Sequence, residues 1–138
     1  ETYLKFMELM EKKINCKFYL GAGQNDEEQK LINKILDSNF KNICTPLNKM
    51  TISEVIPIIK NCNLAVCNDT RFSHISSALK VSTIVLMSDT PLVYGSYSSY
   101  MSPILPEGLA EVTHNTFGRE GINAEEIFLK AKSILKLS

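Results

Sequence analysis

The sequence lacks tryptophan, contains only two histidines and has no excess of charge of either sign. Fifteen Lys and Arg residues balance fifteen Asp and Glu residues, so the formal net charge of the 138-residue chain is zero. A chain without a global positive field has no general means of holding nucleic acid or an anionic membrane surface. We therefore expect no nucleic-acid partner, and any anion site must be local.

Long apolar runs are also missing. No stretch approaches the roughly 20 apolar residues that a membrane-spanning helix needs, and the first residues lack both the apolar core of a signal peptide and an initiator Met. These features predict a soluble domain without a transmembrane segment, cut from a longer protein. The length suits one domain over residues 1–138.

The cysteines have no C-x-x-C spacing, and three of them border or lie in apolar, strand-like runs. They are Cys16, Cys44, Cys62 and Cys67. Thiols in such places behave as small hydrophobic side chains, which is typical of a reduced, cytoplasmic protein. Because only His74 and His114 could add nitrogen ligands, we expect no metal site.

Apolar periodicity along the chain alternates between helix and strand. The predicted order is helix 3–14, strand 17–20, a helix opening near Asn25, strand 42–45, helix 51–61, strand 64–67, helix 71–80, strand 83–87, a loop region 88–121 with room for one small strand, and a helix opening at Asn123. Such alternation predicts an α/β fold with an open, mainly parallel sheet and helices on both faces.

Capping signals precede three of these helices. They are Asn25 with Glu28 or Asp26 with Gln29, Thr51 with Glu54, and Asn123 with Glu126. Pro57 lies inside the third predicted helix and removes one backbone hydrogen bond, so we expect that helix to be kinked or short.

The most informative stretch is 68–79, where an apolar strand runs straight into a polar helix start. In an open α/β sheet this junction is a common ligand site. Asp69 or Thr70 can cap the helix, and the first-turn N–H groups and helix dipole favour an anion such as a diphosphate. His74 lies one turn further on, above Arg71 and Thr70. The alternative is a capped helix whose histidine packs against the sheet.

These motifs resemble, in order, those of glycosyltransferase family 9, the heptosyltransferase-like enzymes that build the lipopolysaccharide core. The similar stretches are 47–54, 68–79 with its Asn-Asp-Thr and His74, 85–91 ending in Asp89-Thr90-Pro91, and Tyr94-Gly95. The resemblance covers most of the chain and weakens after about Pro103. It implies a GT-B architecture of two Rossmann-like domains, of which this chain is similar to the C-terminal, donor-binding one.

The resemblance also implies residue roles. Asp69 is expected to contact the sugar of a nucleotide-diphosphate donor such as ADP-heptose, the Thr70 hydroxyl to contact the diphosphate, and His74 to support that loop or the phosphate. Asp26 or Glu27 is expected to accept the ribose hydroxyls, because a carboxylate accepts two strong hydrogen bonds from a diol. For these two acids, stabilisation of the helix dipole is an equal alternative.

Three departures from the family pattern stand out. Arg71 replaces the motif's Gly, so it either blocks the pocket or supplies a positive charge to the diphosphate. Ser88 replaces a second Gly. The family's first strand with its phosphate-contacting loop, and the N-terminal domain with the catalytic base, would both precede Glu1.

The expected function is therefore donor binding for a glycosyltransferase that moves a sugar, heptose being one candidate, to lipopolysaccharide or a related glycan. No cofactor is expected besides the nucleotide-sugar substrate, and the glycan or glycolipid acceptor would meet the N-terminal domain. The expected location is the cytoplasm, with peripheral association at the inner face of the membrane left open. The main alternative is a degenerate, non-catalytic nucleotide- or anion-binding module; an epimerase or a receiver domain agrees less well with the sequence.

Overall fold

A computed structural model of the chain describes residues 2–23, 25–109 and 121–138. The helices are α1 (Thr2–Lys13), α2 (Asp26–Leu36), α3 (Ile52–Lys60), α4 (Arg71–Ala78) and α5 (Ala124–Leu135). The strands are β1 (Phe18–Leu20), β2 (Cys44–Pro46), β3 (Ala65–Asn68), β4 (Thr83–Leu86) and β5 (Met101–Ile104). Short 3-10 turns occupy Lys41–Ile43 and Leu92–Gly95. His114 lies outside the described residues.

Local side-chain chemistry starts the helices as the sequence predicts. The Asn25 side chain accepts from the Glu28 N–H at 2.9 Å, and the Thr51 hydroxyl accepts from the Glu54 N–H at 3.3 Å. Asn123 caps α5 but accepts from the N–H of Glu125 at 2.8 Å. Each cap satisfies one N–H that the first helical turn leaves unpaired.

The third helix runs through its proline. Helix α3 contains Pro57 and spans 9 residues, close to the predicted range 51–61. Its end is closed by Asn61, whose Nδ2 donates to the Pro57 carbonyl at 2.8 Å.

The strands form two parallel sheets. Strand β1 pairs with β2, while the second sheet has the order β3-β4-β5. The α/β class and the parallel pairing are confirmed, whereas the sequence pattern predicted one continuous sheet. Strand β5 is the one small strand that the sequence analysis allowed within residues 88–121.

Helices cover both faces of the three-stranded sheet. Strand β4 is buried throughout, and its Ile84 and Leu86 share a core with the apolar faces of α1 and α5. On the opposite face, the Thr83 hydroxyl lies 2.9 Å from the Ser76 hydroxyl of α4. Alternate side chains of one strand thus anchor two helical layers, which is the three-layer arrangement of a Rossmann-like domain.

The two sheets are separated by a cavity of about 460 Å³. We call this space the interstrand cavity, and its lining includes residues of β1 and β3 and of the helices α1, α3, α4 and α5. None of the described helices is long and apolar enough to cross a membrane.

Candidate functional site

The turn Asp69-Thr70 follows the carboxyl end of β3 and leads directly into α4. Because parallel strands share one carboxyl edge, this turn lies at the edge where open α/β sheets bind ligands. That position agrees with the prediction for this turn. Thr70 is exposed, whereas Asp69 is half-buried.

The first turn of α4 is closed by main-chain and serine contacts. Thr70 is the N-cap residue, but its side chain makes no capping hydrogen bond. Instead the Thr70 carbonyl accepts from the Ser73 N–H at 3.0 Å and from the Ser73 hydroxyl at 2.7 Å. The prediction that Asp69 or Thr70 caps this helix through its side chain is therefore wrong. The Thr70 hydroxyl stays available for a ligand.

Asp69, His74 and Tyr97 form a linked group beside this turn. His74 Nε2 lies 3.2 Å from Asp69 Oδ1, and His74 Nδ1 lies 2.6 Å from the Tyr97 hydroxyl. The rings of His74 and Tyr97 stack with centroids 5.7 Å apart and an interplanar angle of 9°. With its proton on Nε2, the imidazole faces the carboxylate and accepts from the tyrosine.

Tyr97 is a contact that the sequence did not reveal. It lies 23 residues from His74 in the loop between β4 and β5, and no local pattern relates the two positions. Asp69 and His74 were both predicted to belong to this site, and the structure brings those two together.

Arg71 lies against the ring of Phe72. Its guanidinium carbon lies 5.6 Å from the ring centroid of Phe72, within cation–π range. In this arrangement Arg71, Thr70 and His74 are not joined to one another by a described contact. The convergence of their side chains on one ligand remains a prediction.

The acids after β1 differ sharply in burial. Asp26 and Glu27 are exposed in the first turn of α2, while Glu28 is half-buried with its Oε2 directed at Gly23. Any side chain at Gly23 would collide with that carboxylate. Glu28 is thus the acid that faces the glycine turn. The sequence did not distinguish it, because three acidic residues follow one another at the start of α2.

The glycine turn itself is held from two sides. Gln29 Nε2 donates to the Gly23 carbonyl at 2.9 Å, and Gln29 Oε1 accepts from Asn48 Nδ2 at 2.7 Å. Gln29 therefore ties the loop after β1 to the loop after β2.

Three buried side-chain oxygens among the described residues have no hydrogen-bond partner. They are Glu28 Oε2, Asp69 Oδ1 and Thr90 Oγ1. Of these, Asp69 Oδ1 lies within ion-pair distance of His74 Nε2, at 3.2 Å, but outside hydrogen-bond geometry. Glu28 follows β1, Asp69 follows β3 and Thr90 follows β4, so all three lie beyond carboxyl ends of strands. Buried polar atoms are nearly always paired in proteins, and unpaired ones indicate water or a polar ligand.

The thiol and phenol near this edge are held in their neutral forms. Burial, together with the neighbouring charge of Asp69, raises the pKa of the Cys67 thiol to about 12. Burial also raises the pKa of Tyr3, whose hydroxyl donates to Asn68 Oδ1 at 3.1 Å. Neither group is an activated nucleophile or base at neutral pH. Within the described ranges, no three His, Cys, Asp or Glu side chains gather as metal ligands.

Comparison with known proteins gives one family. No curated protein and no solved structure matches the chain. The family described as glycosyltransferase family 9 (heptosyltransferase) matches residues 1–101. Since this match covers most of the 138 residues, the chain belongs to glycosyltransferase family 9.

Proposed function

We propose that this chain binds the nucleotide-diphosphate sugar donor of a glycosyltransferase at the carboxyl edge of its strands. The observation that carries the proposal is the pair of unpartnered buried oxygens on Glu28 and Thr90, at the same strand edge as Asp69, whose Oδ1 lies 3.2 Å from His74 Nε2. Acceptors of this kind are satisfied by the hydroxyl groups of a sugar and a ribose.

The diphosphate would lie at the start of α4. The Thr70 hydroxyl is not used in capping, and first-turn N–H groups with the helix dipole favour negative charge there. Asp69 would accept from sugar hydroxyls, and His74 would hold the Asp69 loop. In catalysis such preorganised donors would stabilise the departing nucleoside diphosphate as charge develops on it.

We assign ribose binding to Glu28, in place of Asp26 or Glu27. Its carboxylate faces the glycine turn after β1 with one oxygen buried and unpaired, while the other two acids are exposed. The exposed carboxylates of Asp26 and Glu27 would then stabilise the helix dipole of α2.

The finer assignments extend what the family resemblance implies. The acceptor would be lipopolysaccharide or a related glycan or glycolipid, the transferred sugar heptose or a similar sugar, and no cofactor would be needed beside the donor. An N-terminal domain would carry the acceptor and the catalytic base, in the cytoplasm and at the inner membrane face. A degenerate binding module is the second candidate, favoured by Arg71 at the position of the family's Gly.

Titration of the ¹⁵N-labelled chain with ADP and with UDP tests the proposal. We expect the amide signals of residues 68–75 to shift, and Thr70→Val to weaken binding about fivefold, as for one hydrogen bond of roughly 1 kcal/mol. Thr45→Val is the matched control, because Thr45 is exposed in β2. Unperturbed amides over 68–75 with both nucleotides would refute donor binding at this turn.

A further inference from the structure

Gly21 and the ring of Phe72 form a close contact between the two sheets. Gly21 directly follows β1, and Phe72 lies in the first turn of α4, which follows β3. A Cβ atom placed on Gly21 would lie 3.2 to 3.4 Å from three atoms at the tip of the Phe72 ring, closer than the roughly 3.5–4.0 Å of ordinary carbon contacts. The ring therefore packs on main chain that a residue larger than glycine would push away.

This contact brings together two turns that belong to different sheets. Strand β1 pairs with β2 and β3 pairs with β4, and the contact places the carboxyl ends of β1 and β3 side by side. Within the described ranges, no hydrogen bond or ion pair links residues 21–29 with residues 68–75. The spacing between the glycine turn, residues 21–23, and the turn Asp69-Thr70 thus depends on packing, to which the Phe72 ring contributes directly.

The Phe72 ring is itself held in place. The Arg71 guanidinium carbon lies 5.6 Å from the ring centroid. The half-buried ring also packs against a buried apolar cluster, which consists of Leu47, Val55, Ile59 and Val81. Side chains packed in this way resist displacement, because protein interiors have few voids into which they could move. The ring is therefore a fixed support for Gly21.

We propose that Phe72 is a positioning residue, which sets the distance between Glu28 at the glycine turn and the Thr70 hydroxyl at the start of α4. The inference rests on the proposed function and deepens it. A nucleoside diphosphate carries its ribose and its diphosphate at a separation limited by covalent bonds, so one donor reaches both turns only when their spacing matches. A site held at that spacing before binding loses less affinity to ordering. Phe72 acts through the two turns without touching the donor.

An exchange of side-chain size between positions 21 and 72 tests the proposal in the whole 138-residue chain. Gly21→Ala adds a methyl group against the ring tip, and Phe72→Leu removes that tip. We expect each change alone to weaken ADP binding about tenfold, and the two together to return the Kd to within about threefold of the original chain. Independent effects would instead multiply to about 100-fold. Phe72→Met, which fills similar space with a flexible side chain, replaces Phe72→Leu if the leucine variant does not fold.

Phe128→Leu is the matched control. Phe128 of α5 is also half-buried, and Lys132 Nζ lies 5.7 Å from its ring centroid, so it shares the burial and the cation contact of Phe72. Alone, this change should leave ADP affinity unaltered. In combination with Gly21→Ala it should restore nothing, because the Phe128 ring does not contact Gly21.

Inorganic pyrophosphate separates positioning from a general structural role. Under the proposed function it engages the diphosphate turn alone, so its binding does not depend on the spacing between the turns. We expect the single variants to bind pyrophosphate within about twofold of the original chain while ADP binding falls. Equal losses for the two ligands, or single effects that multiply in the double variant, would overturn the inference and leave the proposed function intact. An original chain that binds neither ADP nor pyrophosphate would refute the proposed function, and this inference with it.

Discussion

The Tyr97 hydroxyl lies 2.6 Å from His74 Nδ1, and the two rings stack almost in parallel. This contact joins the loop after β4 to α4, and it fixes the ring orientation that faces Nε2 towards Asp69. A residue outside the motif thereby orients two residues inside it.

Tyr97→Phe removes this hydroxyl and keeps the ring. We expect ADP affinity to fall by roughly 0.5–1.5 kcal/mol, the usual net worth of one hydrogen bond, because His74 loses its fixed orientation. The ¹⁵N signals of the His74 ring should shift in the same variant. Tyr100→Phe, a change at another exposed tyrosine of the same loop, is the control. Unchanged ring signals and affinity would exclude a positioning role for Tyr97.

Arg71→Ala should weaken nucleotide binding by about 1.5–3 kcal/mol and lower its salt dependence, as expected for a charge-assisted hydrogen bond to the diphosphate. A positive charge in the first turn is unfavourable because it lies at the positive end of the helix dipole. A bound anion would make this position favourable for the arginine. Arg71→Lys should retain part of the affinity, because it keeps the charge but not the planar fork. Calorimetric titration at two salt concentrations measures both effects. Tighter binding by the alanine variant would mean that Arg71 blocks the pocket, and it would favour the degenerate module.

Glu28→Gln should reduce the preference of the chain for ADP over 2′-deoxy-ADP. The buried Oε2 is expected to accept from a ribose hydroxyl, and a hydrogen bond to a charged group is worth roughly 1.5–3 kcal/mol. Glu27→Gln is the control at the adjacent exposed acid. If the preference falls with Glu27→Gln and not with Glu28→Gln, the ribose assignment passes to Glu27.

Thr83→Val should destabilise the fold by about 1–3 kcal/mol in denaturant titrations. The Thr83 hydroxyl is fully buried, donates to the Val81 carbonyl at 2.8 Å and lies 2.9 Å from the Ser76 hydroxyl. Removing it leaves the Val81 carbonyl without that donor. The same change at exposed Thr45 should stay within about 0.5 kcal/mol. Equal effects at the two positions would contradict the role of the buried contact.

Alkaline pH should destabilise the fold partly through Cys67. Burial raises the pKa of this thiol from 9.0 to about 12, so between these pH values unfolding releases a proton. The stabilisation is complete below pH 9 and declines as the pH rises, by up to about 1.4 kcal/mol per pH unit. Unfolding free energies between pH 8 and 10.5 should therefore fall less steeply in Cys67→Ala. Identical slopes would show that Cys67 is not responsible.

Features encoded over a few residues were predictable from the sequence. The caps at Asn25, Thr51 and Asn123 depend on a side chain reaching an N–H two or three residues away. The α/β alternation is similarly local, because each apolar period is visible within one element. Thr70 is the exception, since its hydroxyl makes no capping bond and the Ser73 N–H and hydroxyl both donate to its carbonyl.

Features that depend on distant parts of the chain could not be read in this way. The pairing of His74 with Tyr97 spans 23 residues and two loops. The contact of Glu28 with Gly23 depends on which side of α2 faces that turn. The division of the strands into two sheets depends on which strands lie side by side in space, and the apolar periodicity of the sequence does not specify this.

Two sheets also have four free edges, whereas one continuous sheet has two. In the described strands the inner edges of β1 and β3 are flanked by apolar side chains, a combination that promotes intermolecular pairing. Purified alone, this chain should therefore self-associate as its concentration rises. Its solubility should depend more on these edges of β1 and β3 than on its polar surface.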